Sequence, residues 1–165
     1  MSKRFIIGDV LPELANTRRI LERVPDEHLA WKPHDKSYSL GHLATHIVNI
    51  GYWMTTILSR PEYDLASGPS HREPLSSRSA MLEELDQRIR ELEELLAAAD
   101  EQSLSEEWTV RMGERVIQKG PRAVMLRGFG LSHLIHHRGQ LSVYLRLLNV
   151  PVPGLYGPSA DDMSS

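Results

Sequence analysis

Five of the eight histidines fall into two tight groups: His42 with His46, and His133 with His136 and His137. The sequence has no cysteine, which excludes disulfides, thiolate metal sites and cysteine nucleophiles. Any soft-metal chemistry must therefore use imidazole. On a helix, residues four apart share a face, with Cβ atoms about 5–6 Å apart. His133 and His137 have that spacing and can hold one ion between them. His136 and His137 are adjacent and point about 100° apart, so they cannot share a face.

The elements that must position these residues read as four helices. The first spans residues 9–24, where Leu11, Leu14, Ala15, Ile20, Leu21 and Val24 recur at helical spacing and Pro25 follows. A loop over 26–38 holds Trp31, Pro33 and His34. The second helix spans 39–59, with Ser39 as N-cap, Pro61 beyond its end, and an apolar stripe of Leu43, Ile47, Ile50, Met54 and Ile57. Residues 60–74 are rich in Pro, Gly and Ser and read as a long loop. The third helix spans 76–100, with Met81, Leu82, Leu85, Ile89, Leu92 and Leu96 inside and a solvated face of Glu and Arg. Residues 108–118 alternate apolar and polar around Gly113-Glu114, which predicts a short β-hairpin. The fourth helix spans 121–148, with Pro121 in its first turn and Asn149 and Pro151 after it. The tail over 151–165 reads as irregular.

Four long amphipathic helices predict an all-α single domain over residues 1–165, a four-helix bundle. The long loop before the third helix and the hairpin before the fourth leave room for crossover connections. The order of the helices around the bundle does not follow from the pattern.

Helical phase then separates the histidines. The stripe of the second helix centres near Leu43, Ile50 and Met54; His46 lies about 60° from that centre and His42 about 100°. On the fourth helix His137 falls within the stripe of Leu134, Leu141, Leu145 and Leu148. His133 lies at its edge and His136 on the opposite side. His46, His133 and His137 can therefore converge, with His42 and His136 nearer the rim. Three imidazoles suit Zn, Ni, Fe or related ions. Three protein ligands leave positions for water or substrate, the pattern of catalytic rather than structural sites. A bound water would have a lowered pKa.

Other residues near this set have two readings each. Arg138 follows a ligand directly; it can anchor an anion, or, the favoured reading, form an ion pair with an acid on a neighbouring helix. Gln140 and Asn49 can orient imidazoles or make plain hydrogen bonds within the bundle. Gly139 suggests a close helix approach. Trp53 and Tyr52 fit core packing better than a pocket wall. Trp31 and Trp108, in connecting regions, can cap the bundle or serve a dimer contact. There is no phosphate loop, no local Ser-His-Asp signature, and no acidic residue spaced as a general base.

The bulk numbers exclude some partners. The net charge is -3 and no basic stripe stands out, so nucleic acid and a basic membrane-binding face find no support. No apolar run approaches a membrane span, and the N-terminal residues lack a signal-peptide core. The expectation is a soluble cytoplasmic protein.

The stretch His133-Leu-Ile-His-His137-Arg138-Gly139-Gln140 resembles the signature of the DinB/YfiT-like superfamily of metalloenzymes. The segment Ser37 to Ile47 is similar to the superfamily's second-helix segment, whose last His is the remaining ligand, and the tail Pro151 to Asp162 looks like its endings. The resemblance covers nearly the whole chain. It implies a four-helix bundle with crossover connections, metal ligands at His46, His133 and His137, bound Ni or Zn, and frequent homodimers. It also implies small-molecule chemistry: the superfamily includes transferases using bacillithiol, mycothiol or glutathione, and a thiol-dependent maleylpyruvate isomerase. Its name comes from DNA-damage induction and does not imply DNA binding. The expected function is a divalent-metal enzyme, either a thiol-dependent S-transferase or a hydrolase. The alternatives are a non-catalytic metal-binding or stress-response protein, and a bundle that holds no metal.

Overall fold

Each apolar stripe forms a helix. A computed structural model of the chain describes residues 3–163, with side chains from residue 8 onward. Most of the N-terminal stretch read for a signal peptide thus lies outside the described side chains. The long helices are α1 (Lys3–Leu21), α2 (Leu40–Ser59) and α3 (Arg78–Ala98). A short α4 (Glu101–Ser105) leads into the hairpin. The last helix is composite: α5 (Arg122–Met125) passes through a π-helical segment (Leu126–Ser132) into α6 (His133–Leu147).

The helix ends follow local chemistry. Ser39 accepts from the His42 backbone N–H at the start of α2, and Ser77 accepts from that of Ala80 at the start of α3. At the far end of α6, Asn149 takes φ 59, while Val150 N–H bonds to Leu145 C=O and Asn149 N–H to Arg146 C=O. This is a Schellman close, with Asn in the left-handed position usually given to Gly. Arg122, buried at the start of α5, donates to the carbonyls of Ile57 and Arg60 and so closes the end of α2.

α2 packs against α3 and α6, and α1 packs against the same two helices. α1 and α2 therefore lie diagonally across the bundle, and both the first loop and the segment from α3 to α6 cross it. The core is one cluster that includes Leu14, Ile20, Ile47, Ile50, Met54, Leu85, Leu134 and Leu141, each fully buried. The expected stripes of α2 and α3 face it. On α1 the inward row is Val10, Leu14, Thr17, Ile20 and Leu21, whereas Ala15 is exposed. Thr17 can sit inside because its hydroxyl donates to the Glu13 carbonyl at 2.8 Å.

The expected hairpin forms as β2 (Glu107–Met112) and β3 (Arg115–Pro121), with Gly113 at φ 60 in its turn. A third strand, β1 (Glu62–Asp64), lies where the loop over 60–74 was expected and pairs parallel with β2. Asp64 locks this join. Its carboxylate accepts from Gly113 N–H and from Arg111, both at 2.9 Å. Trp108, read as a possible end cap or dimer contact, is instead fully buried on β2.

In the last helix the glycine that permits a close helix approach is Gly130, not Gly139. A Cβ on Gly130 would stand 2.7 Å from the Met54 side chain, so the π segment can approach α2 only because that residue is Gly. Gly139 is exposed and a Cβ there would meet nothing within 4 Å. Gly139→Ala should accordingly raise stability by about 0.5–1 kcal/mol, because Ala restricts the unfolded chain and favours the helix. A higher urea midpoint with an unchanged slope would show this; a lower midpoint would mean that the position makes a contact requiring Gly.

Candidate metal centre

The interior between α2 and α6 gathers His46, His133 and His137. One ligating nitrogen from each lies within 4.8 Å of the others, and the His46 and His133 Nε2 atoms are 3.2 Å apart. Two nitrogens on a tetrahedral zinc at about 2.05 Å would sit about 3.4 Å apart, so this pair is already at ligating distance. The ring centroids are 4.5 Å (His46–His137), 4.7 Å (His133–His137) and 5.0 Å (His46–His133) apart. All three side chains are half-buried.

Hydrogen bonds fix two of the rings. His137 Nδ1–H donates to Gln140 Oε1 at 2.7 Å, one turn ahead on α6. His133 Nδ1–H lies 3.3 Å from the Phe129 carbonyl. In a regular α-helix that carbonyl would accept the backbone N–H of residue 133. Here the His133 N–H bonds instead to Gly130 C=O, at the end of the π turn, and the His133 imidazole meets the Phe129 carbonyl. With both Nδ1 atoms carrying hydrogen, the Nε2 lone pairs of His133 and His137 face the cluster. This is the arrangement in which a second group orients a metal-ligating histidine.

Electrostatics keep the cluster uncharged. Burial, with a contribution from the neighbouring imidazoles, pushes His46 down to about 3 and His133 down to about 4, and lowers His137 as well. The charges acting on these three rings come from one another and from His136. Neutral imidazole is the ligating form.

The remaining expected residues sort clearly. His42 contacts the Ser39 hydroxyl at 3.3 Å, and the exposed His136 receives the Gln140 amide at 3.1 Å; both stay outside the cluster. Gln140 thus bridges His137 and His136. Asn49 does not orient an imidazole. Its side chain pairs with the backbone of His71, at 2.7 Å and 2.9 Å, and pins the loop that follows β1. Arg138 is 1% exposed and forms the structural ion pair with Glu13. It also donates to the Glu13 carbonyl at 2.7 Å, to Thr17 Oγ1 at 3.2 Å and to the Tyr156 hydroxyl. Trp53 is buried and walls the cluster, edge-on to His46 at 5.4 Å and near-parallel to His133 at 6.0 Å. Tyr52 points elsewhere, under the Arg88 guanidinium at 5.2 Å. Trp31 packs edge-on against Tyr144. Sequence reasoning missed Phe129 and also Tyr38, whose ring lies 5.8 Å from that of His46. Gly128 and Gly130, flanking Phe129 in a helical run, were the signal for the irregular turn.

The family model described as "DinB family" matches residues 13–164. The chain belongs to the DinB family. It is 27% identical over 150 residues to the uncharacterized protein YrdA of Bacillus subtilis (strain 168), covering 88% of this chain and 83% of that protein. Among solved structures it is similar to a DinB-like protein of Bacillus cereus ATCC 10987, with TM-score 0.69, 21% identity, and 92% and 95% of the two chains covered. It is also similar to the DinB-like protein YjoA of Bacillus subtilis, with TM-score 0.65, 18% identity, and 92% and 99% covered. DinB membership and the likeness to these structures agree with the helical bundle, and the three-histidine cluster is compatible with a bound metal ion.

Two measurements probe the cluster. Gln140→Leu removes the acceptor that holds His137 and should weaken divalent-metal affinity about 10- to 100-fold in competition with a chromophoric chelator. An unchanged affinity would mean that Gln140 only bridges surface groups. The second concerns pH. The folded-state values of the three histidines lie below the ordinary 6.5, so the unfolded chain takes up protons first as pH falls. Their contribution to stability is complete above about pH 6.5 and is lost progressively on acidification towards pH 3. The urea midpoint of metal-free protein should drop between pH 7 and pH 5, and His46→Gln should flatten that dependence.

Proposed function

We propose that this protein is a divalent-metal enzyme, with Ni or Zn as the ion, that joins a low-molecular-weight thiol to a small electrophilic molecule. The observation that carries this reading is the convergence of three neutral imidazoles, two of them held with Nε2 turned inward. His46, His133 and His137 would hold the ion, leaving coordination positions for an exogenous group. A divalent cation there supplies Lewis acidity and lowers the pKa of a thiol or water that reaches it.

The chain's own residues decide which ligand that favours. The three imidazoles bring no negative charge, so the cation's charge stays uncompensated by protein and an anionic ligand is preferred. A thiol, with an ordinary pKa of about 8.5, becomes such an anion far more readily than water. Because the sequence has no cysteine, the thiol comes from outside the chain. Gln140 and the Phe129 carbonyl hold His137 and His133 in their ligating tautomers. Trp53 and Phe129 keep water from the inner side of the rings. Hydrolysis of a small ester or amide is the alternative reaction of the same site, and a non-catalytic metal-binding protein is the alternative without turnover.

The test is a panel of thiols and electrophiles run with metal-loaded protein. Thiol-dependent turnover should appear and be lost both on chelation and in His137→Ala. Turnover that survives metal removal would sink the proposal. Thiol-independent hydrolysis would replace transfer by the hydrolase reading, and metal binding with no turnover across the panel would favour the non-catalytic one.

A further inference from the structure

The side chains bordering the histidines carry information about what can lie beside them. Tyr38 stands just ahead of α2 with its side chain 52% exposed. Its ring nevertheless lies 5.8 Å from that of His46, and 6.0 Å from that of His42 at an interplanar angle of 23°. Among the exposed large hydrophobic residues described, it is the one in ring contact with a histidine of the cluster. The exposed aliphatic side chains of α6, Val143 and Leu147, have no such contact.

Tyr38 is not a loose surface ring. The Tyr144 hydroxyl donates to its backbone carbonyl at 3.2 Å, and Tyr144 is braced by Trp31, edge-on at 5.6 Å. The next residue, Ser39, caps α2. The backbone that presents the ring is therefore tied to α6 on one side and to α2 on the other. On the inner side, Trp53 and Phe129 complete an aromatic border, at 5.4 Å from His46 and 5.8 Å from His133 respectively. A polar aliphatic ligand would find few partners along such a border. A planar π system gains offset or edge contacts with it, worth about tenfold in affinity.

We propose that Tyr38 is a specificity-determining residue: its half-open ring forms a platform beside the three histidines that selects planar aromatic ligands. This rests on the metal-centre reading above and adds the class of molecule that the centre takes.

The experiment uses the full chain loaded with Co²⁺, whose d–d absorption reports on ligand binding without any reaction. Benzohydroxamate and acetohydroxamate, which carry the same chelating group, are titrated separately. Their affinity ratio for aqueous Co²⁺ is the reference. Wild-type protein should prefer benzohydroxamate by about tenfold or more over that reference. Tyr38→Phe should keep the preference, and Tyr38→Ala should return the ratio to the reference while leaving Co²⁺ affinity unchanged. A wild-type ratio equal to the reference, or a preference that persists in Tyr38→Ala, would overturn the platform while leaving the metal centre standing. Loss of Co²⁺ affinity in Tyr38→Ala would overturn it too, by making Tyr38 a support for the ligands. Failure of wild-type protein to bind Co²⁺ would overturn the metal reading and this inference together.

Discussion

A guanidinium inside a helical bundle is tolerable only when its charge and its N–H groups are matched, and Arg138 imposes that condition on everything near it. It is 1% exposed, and its partners are three residues: Glu13, through backbone and carboxylate, and Thr17, through its hydroxyl, on α1, and Tyr156, through its hydroxyl, in the tail. The Tyr156 hydroxyl in turn donates to Glu13 at 2.7 Å, which closes the triangle. A helix pinned in this way has no freedom to rotate about its axis. Because His137 precedes Arg138 directly, the direction of its side chain is settled by a contact on the α1 side of α6. The C-terminal segment is thereby part of the scaffold of the cluster.

The opposite side of α6 shows how uncharged the cluster is. Three imidazoles at ring separations of 4.5–5.0 Å would repel one another if protonated, and burial already disfavours the charged form. The rings can share this space because they are neutral, and neutrality is also what leaves their lone pairs available. The π segment contributes the Phe129 carbonyl that His133 Nδ1 meets, and Gly130 lets that irregular turn sit close to Met54 of α2. Irregular helical turns of this kind cost hydrogen-bond geometry and recur at functional sites.

Much of this was legible in the sequence. The stripes of α2, α3 and α6 were regular enough to fix which faces turn inward. The three histidines chosen by phase are the three that lie together, because the leucines that set the phase of the last helix, Leu134, Leu141 and Leu145, all follow the π segment. Counting forward from Pro121 through seven π residues would have carried an error into residue 137. The hairpin was legible because Gly113 punctuates an alternating run. β1 was not: Glu62, Tyr63 and Asp64 are three residues with no pattern of their own, and their partner strand lies beyond α3. Ala15 was misread because an apolar residue on the edge of a stripe carries little phase information, whereas Thr17 hides its polarity in a bond to its own helix. Asn49, which keeps two readings in the sequence, and Gly139, which was misread, share a reason. Their partners, or lack of them, depend on where loops and neighbouring helices run, which local periodicity does not encode.

The diagonal placement of α1 and α2 has a consequence for how the chain acquires this structure. In an up-and-down bundle the first two helices can pair as soon as both exist. Here each must wait for α3, and even then α1, α3 and α2 form an open layer whose inner face is covered only by α6. A chain emerging from the ribosome would carry that uncovered face through the synthesis of the whole sheet region. Its order of assembly is therefore governed by contacts of long sequence separation, the regime in which folding is slower and partly folded chains are most exposed to association. The last long helix to be made both completes the hydrophobic interior and brings two of the three histidines, so the cluster has no existence before closure.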